Sequence, residues 1–366
     1  MSLPQTFQAA LLTGAGAPIE VRDRTPERAG LEPQEVAIKM TATAINPVDW
    51  KLRDHPSIFF GDRLPAVLGT DAAGTIHAKG SSVTNLEVGD RVFFQGHLGK
   101  YDTSSFQEYA RTDAAVVGRT PRNISDEQAA GVSLAGMTAA IGLYHSVGRG
   151  LAAPWDDNGG SQAGNGKAIV VLGGSASVGQ YVVQLARLSG YSRIVTNASA
   201  AHATLLRRLG ASTVLDRKTQ NSAGDFVQAV GEDIELDCVY DTIGTPETQC
   251  LAVEILQKAR KVRGGSAGAP SLVVCTHNAD DKAVRQGSKL EGGARKVEIK
   301  GILAVGPAPE YRNVSEPFYV HVARWLEAGE FVPNSPVVVE GGVHGIEEAL
   351  RMQKAGVSGA KVVVKF

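Results

Sequence analysis

The chain has only three cysteines in 366 residues, Cys238, Cys250 and Cys275, far apart and with no Cys-x-x-Cys pair among them. That spacing argues against a structural zinc site, and such sparse usage suits a reducing compartment with buried, unpaired thiols. There is no charge excess either: 37 Lys plus Arg stand against 38 Asp plus Glu. No global field draws nucleic acid or an anionic membrane to the chain, so neither is expected as a partner. No apolar run approaches the ~20 residues that span a bilayer. The opening MSLPQTFQAALLTG lacks a basic start followed by a long apolar core, so no secretory signal is read there. These absences predict a soluble, cytoplasmic protein. The length favours two domains over one, and 42 glycines with 43% apolar residues suit a turn-rich globular fold.

What is present changes texture along the chain. FQAALLTG, VAIKMTATAI, AAGTIHAKG and RVFFQG are short, often alternating runs separated by Gly, Pro and Asp, which reads as strands and turns. At Ser125 a helical pattern opens with a Ser at an N-cap position and acids in the first turn. GRGLAAPWDDNGGSQAGNGK then reads as a long surface loop, a tolerated insertion without chemistry. Beyond it, strands are predicted at Ala168–Leu172, Arg193–Asn197, Thr213–Asp216, Leu236–Asp241 and Leu272–Thr276. Helices are predicted between them at Ser177–Ser189, Ala201–Leu209, Ser222–Val230 and Pro246–Leu256. That alternation calls for a doubly wound parallel sheet. The C-terminal part returns to mixed structure, with helices near Glu316–Ala328 and Gly345–Ala355 and a last strand over 361–365. A β-rich block, interrupted by an α/β block and then resumed, is the predicted α/β architecture.

VVLGGSASVGQYVVQLARLSGY, at 170–191, joins the first strand of the α/β block to its first helix. Gly174, Ala176 and Gly179 make a G-x-A-x-x-G turn. Glycines in such a corner permit a tight turn, close approach of backbone to a pyrophosphate, and close helix–strand packing, while the helix N-terminus offers N–H groups to phosphate. A ligand-free corner has the same pattern; the strand before, the helix after and the second strand about twenty residues on favour the dinucleotide. The end of that second strand selects the dinucleotide, since an acid there takes the NAD ribose 2′-hydroxyl. TNASAAH has no acid between Thr196 and His202, while Ser199, His202 and, after the next strand, Arg217 supply polar or basic groups. NADP(H) is the expected cofactor. Read otherwise, His202 and Arg217 are solvated surface charges.

INPVDWK at 45–51, LPAVLGTDAAGTI at 64–76, VGDRVF at 88–93, SFQEYA at 105–110, LAGMTAAIGL at 134–143, the glycine corner and the closing GVSGAKVVVKF resemble, in order and spacing, the medium-chain dehydrogenase/reductase superfamily. The resemblance covers essentially the whole chain. It implies a GroES-like catalytic domain at 1–130 and 313–366 enclosing a Rossmann NADP(H)-binding domain at 131–312. Zinc alcohol dehydrogenases of that superfamily carry a Cys near Asn46 and Gly-His-Glu where this chain has Gly69, Thr70 and Asp71. Asp71 alone cannot replace three converging ligands, so no metal is expected. The chain is similar instead to the zinc-free branch of quinone oxidoreductases and enoyl reductases. NPVDWK paired with GGSASVG, plus the long loop, brings it nearest to fungal ToxD-like reductases and trans-acting enoyl reductases of polyketide pathways.

The resemblance implies an NADPH-dependent hydride transfer to a conjugated acceptor: enoyl, alkenal or quinone. It points to Asn46, Lys51 and Thr138 as catalytic residues, with Asn46 orienting substrate or carboxamide, Lys51 as cationic partner or proton relay, and Thr138 as hydroxyl donor. It assigns the cofactor to Pro47, Val48, Lys51 and Thr138, to the corner residues Gly174, Ser175, Ala176, Ser177, Val178 and Gly179, to Asn197, Ser199, His202 and Arg217, and to Ser358 in the Gly356–Gly359 loop. Relatives carry a Tyr at the position of Arg217 and a Lys near His202. Asp49 fixes a loop or touches cofactor; Tyr144 and Phe59 line a substrate cleft or the core. The expected partners are a small-molecule or acyl-thioester substrate, with the chain a monomer or homodimer. Two alternatives stand beside this reading: a pathway-specific enoyl reductase on a carrier-bound polyketide, and a non-catalytic NADPH-binding protein.

Overall fold

The computed structural model describes all residues except 1, 29, 62, 100, 260–270 and 290–295. The chain divides into two compact units: Met1–Met137 with Val305–Phe366, and Thr138–Ala304.

The first unit begins with β1 (Phe7–Leu12), β2 (Glu20–Arg24) and β3 (Glu35–Ala44), followed by the short helices α1 (Pro47–Asp54) and α2 (Ser57–Phe60). Strands β4 (Ala66–Val67), β5 (Asp71–Lys79), β6 (Arg91–Gln95), β7 (Tyr109–Asp113) and β8 (Val117–Arg119) come next, then α3 (Asp126–Ala130) and α4 (Ser133–Tyr144), which runs on into the second unit. Ser125 caps α3 as its sequence predicts, its hydroxyl accepting from the Gln128 N–H while the Gln128 side chain reaches back to the Ser125 N–H.

The second unit alternates: β9 (Lys167–Leu172), α5 (Ser177–Leu188), β10 (Arg193–Ala198), α6 (Ala203–Leu209), β11 (Thr213–Asp216), α7 (Ala223–Val230), β12 (Glu235–Asp241), α8 (Pro246–Lys258), β13 (Ser271–Cys275), α9 (Asp281–Gly287) and β14 (Val297–Gly301). The chain then returns to the first unit with α10 (Arg312–Ala328), β15 (Ser335–Val339), α11 (Ile346–Ala355) and β16 (Ala360–Lys365).

In the second unit all neighbouring strands are parallel, in the order β11-β10-β9-β12-β13-β14. This is the Rossmann order, with its reversal between β9 and β12. Val170, Leu172, Val195, Phe226, Val239, Ile255 and Val273 are among the buried residues of its core. The sixth strand, β14, has no counterpart in the predicted elements: VEIKG alternates over five residues at a sheet edge, and that pattern is too short to stand out.

Residues 148–167 form the predicted loop, much of it exposed, but it is anchored. Leu151, Ala153, Gly160 and Gly164 are buried, and Arg149 makes a bidentate ion pair with Asp237 at 2.9 and 2.6 Å. Trp155 packs edge-on against Tyr144, with ring centroids 5.1 Å apart. Composition marked the segment as polar but gave no sign of these anchors, which lie 88 residues away in sequence for Arg149.

The first unit holds a three-stranded sheet, β2-β1-β4, and a seven-stranded one, β15-β16-β3-β5-β6-β8 with β7 also paired to β3. Its register builds a site. β16 lies antiparallel to β3 with Val363 opposite Ala44, and β3 lies antiparallel to β5 with Thr43 opposite Ala72. Asn46 just beyond β3, Asp71 at the start of β5 and Lys361 near the start of β16 are thereby brought to one end of three adjacent strands.

Candidate cofactor and active site

At the glycine corner, Gly173 follows β9 with φ of +77°, a conformation that glycine adopts without strain. This residue, outside the G-x-A-x-x-G pattern, is the one that needs the left-handed turn. A Cβ on Gly174 would lie 2.1 Å from the Thr196 hydroxyl, which is itself fixed by donating to the Val171 carbonyl at 2.6 Å. A Cβ on Gly179 would lie 2.3 Å from the Gly173 carbonyl oxygen, pressing α5 off the corner. Ala176, in extended conformation at φ −64°, carries its methyl without conflict and serves as N-cap of α5. Ser175, Ala176, Ser177 and Val178 are all partly exposed around the N-terminus of α5. The corner therefore fits a dinucleotide pyrophosphate: the backbone is bare, and the helix N-terminus begins at Ser177.

The Asn197 side chain is spent on the corner itself. Its Oδ1 accepts from the Gly173 N–H at 2.8 Å, its Nδ2 donates to Asn221 Oδ1 at 2.7 Å, and its carbonyl accepts from the Gly174 N–H at 3.1 Å. Ser199 follows β10 half-buried, and the His202 N–H closes a short turn onto the Ser199 carbonyl at 2.9 Å. The parallel register sets Ala198 beside Asp216, and the Arg217 N–H donates to the Ala198 carbonyl at 2.9 Å. Exposed Arg217 and Lys218 thus lie next to the end of β10. The acid at the end of β11, Asp216, turns its Oδ1 back onto the Lys218 N–H at 3.0 Å. Asp241, at the end of β12, is fully buried; its Oδ1 accepts from the Ile243 and Gly244 N–H groups, each at 3.0 Å, and its Oδ2 from the Thr248 hydroxyl at 2.7 Å. That carboxylate shapes the loop whose Ile243 side chain crowds Gly173.

In the first unit, a buried polar cluster surrounds Asn46. Gly69, at φ +99°, makes room: a Cβ there would lie 2.4 Å from both Phe106 and the Ser105 hydroxyl. The chain then presents Thr70 and Asp71 inward. Asn46 Nδ2 donates to Thr70 Oγ1 at 3.1 Å and to Asp71 Oδ2 at 3.0 Å, while its Oδ1 accepts from the Lys361 ammonium. Lys361 also pairs with Asp71 Oδ2 at 3.2 Å, and the Leu134 N–H donates to Asp71 Oδ1 at 2.6 Å. Asp49 reaches back to accept from the Asn46 N–H at 2.7 Å and from the Thr70 hydroxyl at 3.3 Å. Burial pushes the Asp49 carboxyl up to about 7, against the pull of the Asn46 N–H and Lys361. Burial also pushes Asp71 up, with Lys361, Asn46 and the Leu134 N–H opposing it. The Asn46 amide is thus fully engaged inside the protein. Its fixed orientation follows from chemistry: an ammonium only donates and a carboxylate only accepts.

On the other side of α1, Lys51 is exposed, its Nζ 5.8 Å from the Trp50 ring centroid. Lys354 of α11 approaches the same ring at 5.6 Å and donates to Asp54 at 2.7 Å. Pro47 is exposed and Val48 half-buried at the start of the helix. Thr138 lies within α4, nearly buried, its carbonyl accepting from the Tyr240 hydroxyl at 2.7 Å. Ser358 is exposed in the loop between Gly356 and Gly359, both with positive φ. Tyr144 is buried within the second unit, its hydroxyl contacting Ser189 at 2.9 Å, whereas Phe59 is 40% exposed. Cys238 and Cys275 are buried and Cys250 half-buried; burial pushes the Cys275 thiol up to about 12, far from thiolate chemistry.

Lys361 and Thr70 were not singled out by the sequence. Lys361 sits in a run of valines with a second lysine, Lys365, which is exposed, and nothing in the alternation tells the two apart.

Two family descriptions match the chain: the alcohol dehydrogenase GroES-like domain over residues 32–140 and the zinc-binding dehydrogenase over 177–269. The residues of the first unit do not fit a zinc ion. Lys361 pairs with Asp71 and donates to Asn46, placing an ammonium against the residues that would face a metal, and among the described residues no three His, Cys, Asp or Glu side chains converge. Among the described residues no helix is long and apolar enough to cross a membrane. The trans-enoyl reductase himH of Aspergillus japonicus is 33% identical over 91% of this chain and 90% of its own. The trans-enoyl reductase tndF of Aspergillus flavipes is 30% identical over 99% of each. The quinone oxidoreductase of Pseudomonas syringae has the same fold, with a TM-score of 0.72 at 21% identity over the whole of both chains. With a GroES-like unit, a Rossmann unit and curated relatives matched along nearly their full length, the chain belongs to the medium-chain dehydrogenase/reductase superfamily, in its enoyl reductase branch, and is an oxidoreductase.

Proposed function

We propose that the protein is an NADPH-dependent reductase that delivers hydride to the β-carbon of a conjugated acceptor, most directly an enoyl thioester, without a metal. The observation that carries the cofactor choice is the end of β10. It bears no carboxylate, Ser199 follows it, and the Arg217 N–H is bonded to the Ala198 carbonyl, so two exposed cations, Arg217 and Lys218, adjoin the position a ribose 2′-phosphate takes in this fold. The names of the curated relatives support the acceptor class.

NADPH, when bound, supplies the hydride. The chain's own residues bind and orient. The Gly173–Gly179 backbone and the first turn of α5 receive the pyrophosphate, with Ser175, Ala176, Ser177 and Val178 at its edge, and Asn197 holds that corner in shape from outside the phosphate. Ser199, Arg217 and His202 take the ribose phosphate. Charge builds on the acceptor carbonyl as hydride arrives at the β-carbon, and fixed donors or cations at that oxygen lower the barrier. Lys51, exposed on α1, is assigned to that oxygen or to proton delivery, and the Thr138 hydroxyl to a second donor. Pro47, Val48 and Ser358 are assigned contacts with the cofactor. Asn46 is assigned a different part from direct substrate contact: with its amide fully bonded, it holds the start of α1.

The test is a panel of quinones, alkenals and enoyl thioesters assayed with NADPH and with NADH. Turnover of the enoyl thioester with NADPH preferred at least tenfold is expected, and Arg217→Ala lowers kcat/KM for NADPH at least fivefold while leaving NADH unchanged. Equal use of both cofactors, or binding of NADPH without turnover on any acceptor, contradicts the proposal.

A further inference from the structure

Lys361 is 3% exposed, one of the few charged groups inside the first unit. Its stem packs beneath the turn between α3 and α4, where a Cβ on Gly131 would lie 3.1 Å from Lys361 Cγ. Burying an ammonium is costly even when paired, and an apolar side chain of similar volume fills such a place at no electrostatic cost. Stability alone therefore gives a weak reason for a lysine here. Its contacts give a stronger one. The ammonium fixes Asn46 Oδ1, the residue that opens α1, and Asp71 Oδ2, whose other oxygen accepts from the Leu134 N–H in the first turn of α4. Asn46 Nδ2 closes the triangle onto Asp71 at 3.0 Å. Asp49, a second buried acid of this cluster, joins through the Asn46 N–H and Thr70. One side chain from the last strand thus ties the start of two helices that begin 86 positions apart.

We infer that Lys361 is a positioning residue which, through Asn46 and Asp71, locks the first turns of α1 and α4, the helices that carry Lys51 and Thr138. The functional half of this inference rests on the roles proposed for Lys51 and Thr138; the structural half does not. Loss of the ammonium frees the Asn46 carbonyl and leaves Asp71 buried without a cation, so both helix starts lose a fixed partner at once.

Three variants test it: Lys361→Met, Lys361→Arg, and Lys361→Met combined with Asp71→Asn. Each is followed by urea unfolding, by amide hydrogen exchange, and by kcat and KM with NADPH and an enoyl thioester. In the double variant the charges of Lys361 and Asp71 are removed together and the two amides, at 46 and 71, can pair, so global stability returns close to that of the unaltered protein even if Lys361→Met alone folds poorly. The inference predicts that exchange in residues 49–54 and 134–138 nonetheless stays at least tenfold faster in the double variant, and that kcat falls at least tenfold with KM for NADPH changed less than twofold. Lys361→Arg restores part of both. A stable double variant with unaltered exchange in the two segments and unaltered kcat overturns the inference. If the unaltered protein reduces no acceptor, the proposed function fails instead, and the exchange measurement still decides the positioning role.

Discussion

Asp49 carries the sharpest consequence of the buried cluster at the scale of single residues. Its carboxyl is pushed up to about 7, whereas an unfolded aspartate titrates near 4. Between those values the folded chain keeps a proton that the unfolded chain has released, so this group makes stability fall as pH rises from about 4 to about 7. Asp49→Asn removes the group and retains an oxygen to accept the Asn46 N–H. Its urea midpoint should therefore exceed that of the unaltered protein at pH 8, with the difference shrinking toward pH 4. An equal or lower midpoint at pH 8 would show that Asp49 is not buried as a strained carboxylate. The glycine corner gives a second prediction. Gly179→Ala brings a methyl to within 2.3 Å of a backbone oxygen that cannot rotate away, so at least tenfold weaker NADPH binding by fluorescence titration is expected. Gly174 and Gly179 were legible in the sequence because the motif names them. Gly173 was not, since its need arises from a φ of +77° that composition does not reveal. Lys361 was not legible and Asn46 only in part: Asn46 stood in a family motif, but its saturation by Thr70, Asp71 and Lys361 depends on strand register over 315 positions.

Among the elements, the segment after α4 shows how a polar, glycine-rich run is held in place. Arg149 pairs with Asp237 on β12, Tyr191 donates to the same carboxylate at 2.5 Å, and Asp237 is held well within the ionised range by Arg149 despite its burial. Removing the guanidinium leaves a nearly buried carboxylate short of its charge partner. Arg149→Ala should cost about 2 kcal/mol in urea unfolding, less than a fully buried pair because the arginine is 30% exposed. A cost indistinguishable from zero would show that this ion pair does not anchor the loop at 148–167. The five strands predicted for the α/β unit end within a residue of those observed, because each is an apolar run bounded by turn residues. The short helices α1 and α2 escaped the sequence for the opposite reason: eight and four residues are too few to display a helical period, and the Asn46-Pro47 start reads equally as a turn.

For the molecule as a whole, an interrupted layout was legible before any coordinates. Strands and helices alternate from Lys167 to Gly301, and a chain must close its parallel sheet before the flanking β-rich unit can be completed. The cofactor choice came from an absence, the missing acid after Thr196, and the register that seats Arg217 beside Ala198 supports it. The acceptor has no comparable signature in either unit and is inferred from the names of relatives. The direct test of the central claim follows the hydride itself. NADPH carrying deuterium at the transferable C4 position is incubated with an enoyl thioester, and the saturated product is analysed by mass spectrometry and NMR. One deuterium at the β-carbon, one solvent proton at the α-carbon and one equivalent of oxidised cofactor are predicted. Unlabelled product, or unchanged NADPH in the presence of every acceptor, would contradict the account.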